Sequence, residues 1–597
     1  MEPFTTRPEI RGTFGVVAST HWIASSAGMA MLERNGNAVD AAVAAGFVLQ
    51  IAEPHLNGPA GDLPVIFHMA ETDSVQVLCG QGVAPAAASL AYFRNLGLDL
   101  VPGSGLLPGV VPGAFDAWLL LLRDHGTMEL TEVMAPAIEY AGMGIPLLPE
   151  TARTIGKLAE YFTANWPTSA QTWCPGGVAP PPNALFRNPD LARTYSRLAQ
   201  SDGPDRKGRI DTARHAWSHG FVAKTIGRYL ETAEVPDVTG RSHRGLLTAK
   251  DMANWHATFE TPVSVGYHGW TVFKTGPWGQ GPVLLQALRI LENFDLAALD
   301  PFGPDFAHVV IEAMKLAFAD REAFYGDPDH SKVPLPLLLS AEYGAARAAL
   351  IGATASLEQR PGNVPGYEAQ TRAAVARANR TYAPNQGITA GAGEPTMAHL
   401  TQRRGDTVHL DVIDRWGNVV SATPSGGWLQ SAPVVPGLGF PLNTRGQMFW
   451  LEDEGPNAIA PGRRPRTTLT PTLARHEDGR ILSLGTPGGD QQDQWQLVWL
   501  LRMIHHGLDM QANMDAPLFH SVHFQSSFYP RQARPGEILV EPELGADTIE
   551  ALRARGHRVT VTASWALGRL SAALRHPDGQ LQAAATPRLM QAYAVGR

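Results

Sequence analysis

Apolar residues recur at helical spacing over residues 24–50, and the repeat breaks at Arg34-Asn35-Gly36-Asn37. That pattern predicts two packed helices, with glycine supplying a positive φ between them. The turn-rich stretch Pro54-His55-Leu56-Asn57-Gly58-Pro59-Ala60-Gly61 follows, and then a strand over Leu63–His68. Further helices are predicted over Phe115–Asp124 and near Glu132–Ala141, and Thr248 stands where an N-cap would before Lys250-Asp251. Residues 163–188, rich in Pro, Gly and small polar side chains, read as a surface excursion. Residues 305–325 carry the strongest helical repeat in the chain.

Between residues 352 and 404 the periodicity weakens, and Gly, Ala, Thr, Arg and Gln dominate from Gly362 to Arg404. This reads as a flexible tether. Immediately after it the period switches to two: Val408, Leu410 and Val412 alternate with His409 and Asp411. Asp414-Arg415-Trp416-Gly417-Asn418 supplies a turn and Val419–Thr423 a return strand, which together predict a hairpin.

Composition removes several classes of function. The chain has 597 residues, is 44% hydrophobic and 17% charged, and carries a formal net charge of −8 without a long single-sign run. Nucleic-acid binding would need a basic stripe, so it is excluded as a partner class. Two cysteines, Cys79 and Cys174, cannot build a disulfide framework or a four-ligand zinc site and read as buried thiols. His505-His506 lacks metal-ligand spacing, so no metal is expected. The first residues show no basic-then-apolar leader, and no apolar run approaches the roughly 18 residues of a membrane span. Both points lead to the expectation of a cytoplasmic protein with no membrane partner.

A tether ending at a rigid strand draws attention to Thr407. A hydroxyl is a weak nucleophile unless a base stands beside it, and an N-terminal threonine carries that base as its own α-amine. The amine titrates near neutrality, at about 7.7–8.0 in model peptides, so it can accept the hydroxyl proton. Thr407 would become N-terminal only if the Asp406–Thr407 bond were cut. On pattern alone, a threonine opening a strand is simply a β-branched residue suited to a sheet.

Further motifs give this residue a context. In order they are Gly36-Asn37-Ala38-Val39-Asp40-Ala41-Ala42-Val43-Ala44, Val111-Pro112-Gly113, Glu312 through Arg321, and Gly326-Asp327-Pro328. Asp406-Thr407-Val408-His409-Leu410 and Gly417-Asn418-Val419-Val420-Ser421 come next. Arg464-Pro465-Arg466-Thr467-Thr468-Leu469-Thr470-Pro471-Thr472 and Gly485-Thr486-Pro487-Gly488-Gly489 complete the set. In this order and spacing the chain resembles the γ-glutamyltransferase family of N-terminal-nucleophile hydrolases over nearly its whole length. The resemblance implies that Thr407 is both the self-processing and the catalytic nucleophile. It implies that the Ser425 hydroxyl, where the family usually has threonine, bonds to the nucleophile's amine. It also implies that the backbone N–H groups of Gly488 and Gly489 form an oxyanion hole.

Departures from the family pattern concern the substrate. The family's arginine for an α-carboxylate is replaced by Gln81, and its acid for an α-amine by Met448. An expected asparagine is Gly427, a serine pair is Thr467-Thr468, and a glycine-rich loop has become Gly58-Pro59-Ala60-Gly61-Asp62. Losing both clamps should abolish glutamyl affinity, since removing one partner of a desolvated charge pair already costs on the order of 2–5 kcal/mol. The pattern resembles amidohydrolase-type branches of the family, including oxamate amidohydrolases and cephalosporin-acylase-like proteins. Arg445 is then a replacement anchor for a carboxylate, or else a structural arginine. Arg463, Arg464 and Arg466 are further candidates, Arg464 and Arg466 reading better as structural pairs. His55 borders the family's pocket and is a candidate substrate contact. Asp320, Arg321 and Asp327 read as structural anchors, and the polar run from Asp490 to Gln494 as a solvated helix start. The segment between Phe449 and Thr467 is shorter than the family's lid, which predicts an open pocket or a cover from another segment such as 163–188.

The expected fold is a four-layer αββα sandwich built jointly from a segment 1–406 and a segment 407–597 that pair after cleavage. The expected function is self-processing hydrolysis of a small acyl amide through an acyl-threonine, without a cofactor. True γ-glutamyl transfer or hydrolysis of glutathione-like substrates is the first alternative, and a catalytically silent binding protein the second. A homo-oligomer is left open.

Overall fold

The computed structural model describes residues 5–380, 407–588 and 592–597. Asp406 and the end of the expected tether, residues 381–406, lie outside the described residues. The first predicted helical stretch forms two helices, Trp22–Glu33 and Ala38–Ala52. The positive φ between them falls on Asn35, at 65°, and not on Gly36. Asparagine tolerates the left-handed region because its short side chain can bond locally. Gly36 is needed for space: a Cβ there would sit 2.6 Å from Met128 Sδ and 2.9 Å from the Met31 carbonyl oxygen. Asn37 then caps the second helix by accepting from the Val39 and Asp40 N–H groups, and Asp40 answers with a bond from the Asn37 N–H. Every residue of Ala38–Ala52 is buried, so this helix is covered on all sides.

Two seven-stranded antiparallel sheets form the centre. One runs, in spatial order, through Ile10–Gly12, Leu581–Ala585, Ser571–Arg575, Ile481–Gly485, Thr472–His476, Trp270–Lys274 and Val263–Tyr267. The other runs through Tyr593–Gly596, Gly15–Ser19, Leu410–Asp414, Val419–Ala422, Leu63–Met69, Ser74–Gly80 and Thr258–Glu260. The period-two alternation divides each strand between two faces. Val16, Ile66, Val77, Ile413 and Val419 join Leu473, Ile481 and Ala573 in an apolar layer between the sheets. Leu410, Val412, Val65 and Phe67 point the other way, into a core shared with Ala38–Ala52 and Ala114–His125. Leu482, Leu484 and Val272 do the same on the far side, against Pro282–Leu291, Pro304–Phe324 and Gln492–His506. The αββα sandwich is therefore present. Strands from before and after Thr407 interleave in both sheets, so one core holds the two parts together.

Other expectations meet the structure with small shifts. The helices predicted at 115–124 and 132–141 extend over Ala114–His125 and Leu130–Met143, and Thr248 caps Ala249–Ala253 through the Asp251 N–H. Residues 163–188 are not a loose excursion. They contain the helix Pro167–Trp173, bury Trp166 and Trp173, and receive the Val434 N–H on Ser169 Oγ. The stretch read as a tether holds a helix, Glu368–Ala378, docked by Arg377 on Glu452 and on the Glu322 carbonyl. Its few apolar residues hide it from a periodicity reading, while Ala, Glu, Gln and Arg give it high intrinsic helicity. Among the described residues no helix is long and apolar enough to cross a membrane.

Candidate active site

The pairing registers of the second sheet fix the site. Leu410 lies opposite Ala422, Val419 opposite His68, and Leu63 opposite Gly80. Continued past the strand ends, these registers place Thr407, Ser425, Asp62 and Gln81 side by side on one rung. The bridges Thr407–Ser425 and Asp62–Ser425 are formed. Residues on one rung point to the same face, and each shares its parity with Ile413, Val419, Ile66 and Val77 respectively. All four side chains thus face the space between the sheets.

At one end of this rung Thr407 Oγ1 donates to Ser425 Oγ over 3.1 Å. Trp428 Nε1 is 3.3 Å from the same oxygen and donates to the Leu56 carbonyl at 2.9 Å. The Thr407 carbonyl accepts from Arg569 Nη2 at 3.2 Å, and the Arg569 N–H donates to Thr486 Oγ1 at 3.1 Å. Arg569 therefore ties the threonine to the loop carrying the glycine pair. Glu53 accepts from Thr20 Oγ1 at 2.6 Å; burial raises its carboxyl to about 7 despite the opposing charge of Arg569. Two residues past Thr407, His409 bonds Thr423 through Nδ1 and Asp411 through Nε2, at 2.8 and 2.9 Å. Gly485 leaves room for this imidazole, since a Cβ there would meet the ring at 2.1 Å.

Further along the rung, Asp62 Oδ1 accepts from Arg445 Nε at 2.7 Å and Asp62 Oδ2 from Thr467 Oγ1 at 3.2 Å. Burial raises the Asp62 carboxyl, with Arg445 opposing the shift. Asn443 holds this arm in place: its Oδ1 accepts from the Arg445 and Val110 N–H groups, and its Nδ2 donates to the Ala60 and Val110 carbonyls. The Arg445 guanidinium carbon lies 4.9 Å from the Trp428 ring centroid. Gly61 is required because a Cβ there would come within 2.0 Å of the Ser425 carbonyl oxygen. Gly426 and Gly427 turn the chain at φ 81° and 67°. Asparagine, which the resemblance gives at position 427, also adopts that region. Met448 is buried with Trp428 and Phe528, so the position of the family's amine-binding acid is apolar.

From the other sheet comes the glycine pair. Gly488 has φ 133° and would place a Cβ 2.2 Å from Trp495; Gly489 has φ 57°. The Gly489 carbonyl accepts from Gln280 Nε2 at 3.3 Å, and Gln280 Oε1 accepts from Arg321 at 2.8 Å. Arg321 also pairs with Asp490, which accepts the N–H and hydroxyl of Ser527. Asp490 is thus a buried anchor, not a solvated helix start. Asp493 is buried as well, paired with Lys274 at 3.0 Å.

The remaining candidates fall outside the rung. His55 bonds Thr151 Oγ1 at 2.9 Å, its carbonyl accepts from Gln430, and burial lowers its imidazole to about 3, with Arg569 and His21 adding to the shift. It fastens the helix Pro149–Asn165 to the loop. Arg464 pairs with Asp327, Glu260 and Asp329, Arg466 with Glu322, and Arg463 donates to the Gly455 and Ala458 carbonyls. The short 449–467 segment does not leave the site open. Thr407, Asp62, Arg445 and Gln81 are all buried. The covering segment is neither the family's lid nor 163–188. Tyr529 N–H donates to Gln447 Oε1, and Arg531 to the Gln447 and Phe449 carbonyls, which lays 525–531 over this end of the site. Among the described residues His308, Glu312 and His557 cluster, yet Glu312 is already paired with Lys315 and Arg360.

Asp62, Arg569 and Glu53 carry roles that the sequence reading did not assign. Asp62 did offer a signal, as a charged residue at the head of an apolar strand. Arg569, in Gly568-Arg569-Leu570, offered none.

Two stacked antiparallel sheets between helical layers, with a strand-opening threonine facing the space between them, define the class of N-terminal-nucleophile hydrolases. The chain belongs to the gamma-glutamyltranspeptidase family, whose model matches residues 24–596. It is 28% identical to the glutathione hydrolase-like YwrD proenzyme of Bacillus subtilis (strain 168), with 97% of each chain covered. It is 29% identical to the oxamate amidohydrolase proenzyme of Klebsiella pneumoniae, covering 96% of this chain and 97% of that protein. Among solved structures it is similar to LmbA2991HD, at 50% identity and a TM-score of 0.91 with both chains fully covered. It is also similar to cephalosporin acylase from Bacillus halodurans, at 28% identity and a TM-score of 0.82, covering 100% of this chain and 98% of that one.

Proposed function

We propose that this chain is a self-processing amidohydrolase in which Thr407 is the nucleophile. The observation that carries the reading is the rung: Thr407 Oγ1 and Ser425 Oγ share a hydrogen bond while facing the inter-sheet space. In processing, the Thr407 hydroxyl attacks the Asp406 carbonyl carbon, the C–N bond breaks in an N-to-O acyl shift, and water hydrolyses the ester. The freed α-amine then serves as base, oriented by the Ser425 hydroxyl. In catalysis the hydroxyl adds to a substrate amide and its proton passes to the α-amine. The Gly488 and Gly489 N–H groups receive the oxyanion, and the leaving amine takes the proton as the acyl-threonine forms. Water attack releases the acid. No step needs a cofactor.

Names among the relatives support amide hydrolysis as the reaction, since they include an oxamate amidohydrolase and acylases. The apolar surroundings of Met448 favour an acyl group without the α-amino acid head. The test is ammonia or amine release from a panel of simple acyl amides beside γ-glutamyl anilide. Turnover of a non-glutamyl amide, lost in Thr407→Ala, is expected. Turnover of γ-glutamyl anilide faster than of every other amide would overturn the substrate reading.

A further inference from the structure

Most buried polar groups of the rung are satisfied, and those that are not lie together. Among the described residues Arg445 Nη1 and Nη2, Gln81 Oε1 and Nε2, and Thr468 Oγ1 are buried without a hydrogen-bond partner. Arg445, Gln81 and Thr468 are 0%, 0% and 1% exposed. A permanent guanidinium charge with two orphaned donor groups is expensive to bury, and so is a carboxamide with both atoms unpaired.

These groups share one neighbourhood. The strand register sets Gln81 directly across from Asp62 on the same face. Arg445 is held on Asp62 through Nε, and its guanidinium stacks on the Trp428 ring that touches Ser425 Oγ. Thr468 follows Thr467, the other partner of Asp62. Asp62 lies two strands from Thr407, about 10 Å across the rung. Because Asp62 engages only one edge of Arg445, the two terminal nitrogens remain as the fork that fits a carboxylate with two parallel bonds.

We infer that this is an acyl-group pocket for a chain ending in a carboxylate. Arg445 Nη1 and Nη2 grip that carboxylate, Thr468 Oγ1 and Gln81 Nε2 donate to it, and Gln81 Oε1 accepts from a hydroxyl or amide N–H on the acyl chain. A cationic amine finds no receptor, because both Asp62 oxygens are engaged and the Met448, Trp428 and Phe528 cluster is apolar. The inference rests on the proposed function only in that the other end of the chain reaches Thr407.

The test is calorimetric titration of the wild-type protein with glutarate, with pentanoate and with L-glutamate. None contains an amide, so binding is read without turnover and does not depend on Thr407 being the nucleophile. Glutarate should bind at least tenfold more tightly than either of the others. Thr468→Val and Gln81→Met should each weaken glutarate binding several-fold. Each should also leave the ligand-free melting temperature unchanged or raised, because an unpaired polar group has been removed. That opposite movement separates ligand contacts from structural roles. Pentanoate binding as well as glutarate, or both variants leaving glutarate binding unchanged, would overturn the pocket and mean that water alone fills it.

Discussion

Arg445 Nε meets Asp62 Oδ1 at 2.7 Å, 383 residues away in sequence, and this contact fixes a guanidinium beside the rung that carries Thr407. The pair is fully buried, so neither partner can be removed without leaving the other uncompensated. Asp62→Ala should therefore destabilise the protein by about 3–5 kcal/mol, read as a lower urea midpoint. The double variant Asp62→Asn, Arg445→Met should recover much of that loss, because no buried charge is left behind.

Ser425 is positioned by backbone pairing on both sides, to Thr407 and to Asp62. Its hydroxyl orients the nucleophile, so Ser425→Ala should lower kcat about ten- to hundredfold with little change in melting temperature. Ser425→Thr should keep most of the activity, because the hydroxyl is retained.

Gly488 holds φ 133° against the Trp495 ring. Gly488→Ala should cost about 10²- to 10³-fold in kcat, the range for losing one oxyanion donor. Pairing it with Trp495→Leu should relieve the clash but not the backbone angle. Recovery should then be partial, as steady-state kinetics of the two variants would show.

Much of this site was legible in sequence and part of it was not. Thr407, Ser425 and Gly488-Gly489 lie in compact motifs whose order the fold preserves. The strand alternation through Ile413 correctly assigned faces, which is why the register extends to Thr407. The Asp62–Arg445 pair escaped because nothing local marks it; it exists only once four strands are in register. The helix Glu368–Ala378 escaped for a different reason, since it docks through Arg377 and little apolar surface. Gly36 was given the wrong task because Asn35 can take the left-handed turn at lower steric cost to Met128.

Glu53 supplies a pH signature. Its carboxyl is raised from an ordinary 4.5 to about 7, so the folded state binds a proton there that the unfolded state has released. Its contribution to stability is fully present below about pH 4.5 and is lost as pH rises to 7. Glu53→Gln should flatten that fall, by on the order of 3 kcal/mol at most. Chemical denaturation of both proteins from pH 4.5 to 8 would show the difference, and parallel curves would exclude it.

The central claim concerns the bond before Thr407, and intact-mass spectrometry of the purified protein tests it most directly. The account predicts two fragments, the smaller with the mass of residues 407–597 and threonine as its first residue, and a single full-length mass for Thr407→Ala. A wild-type chain that stays at full length, or a Thr407→Ala chain cut at the same bond, would contradict it.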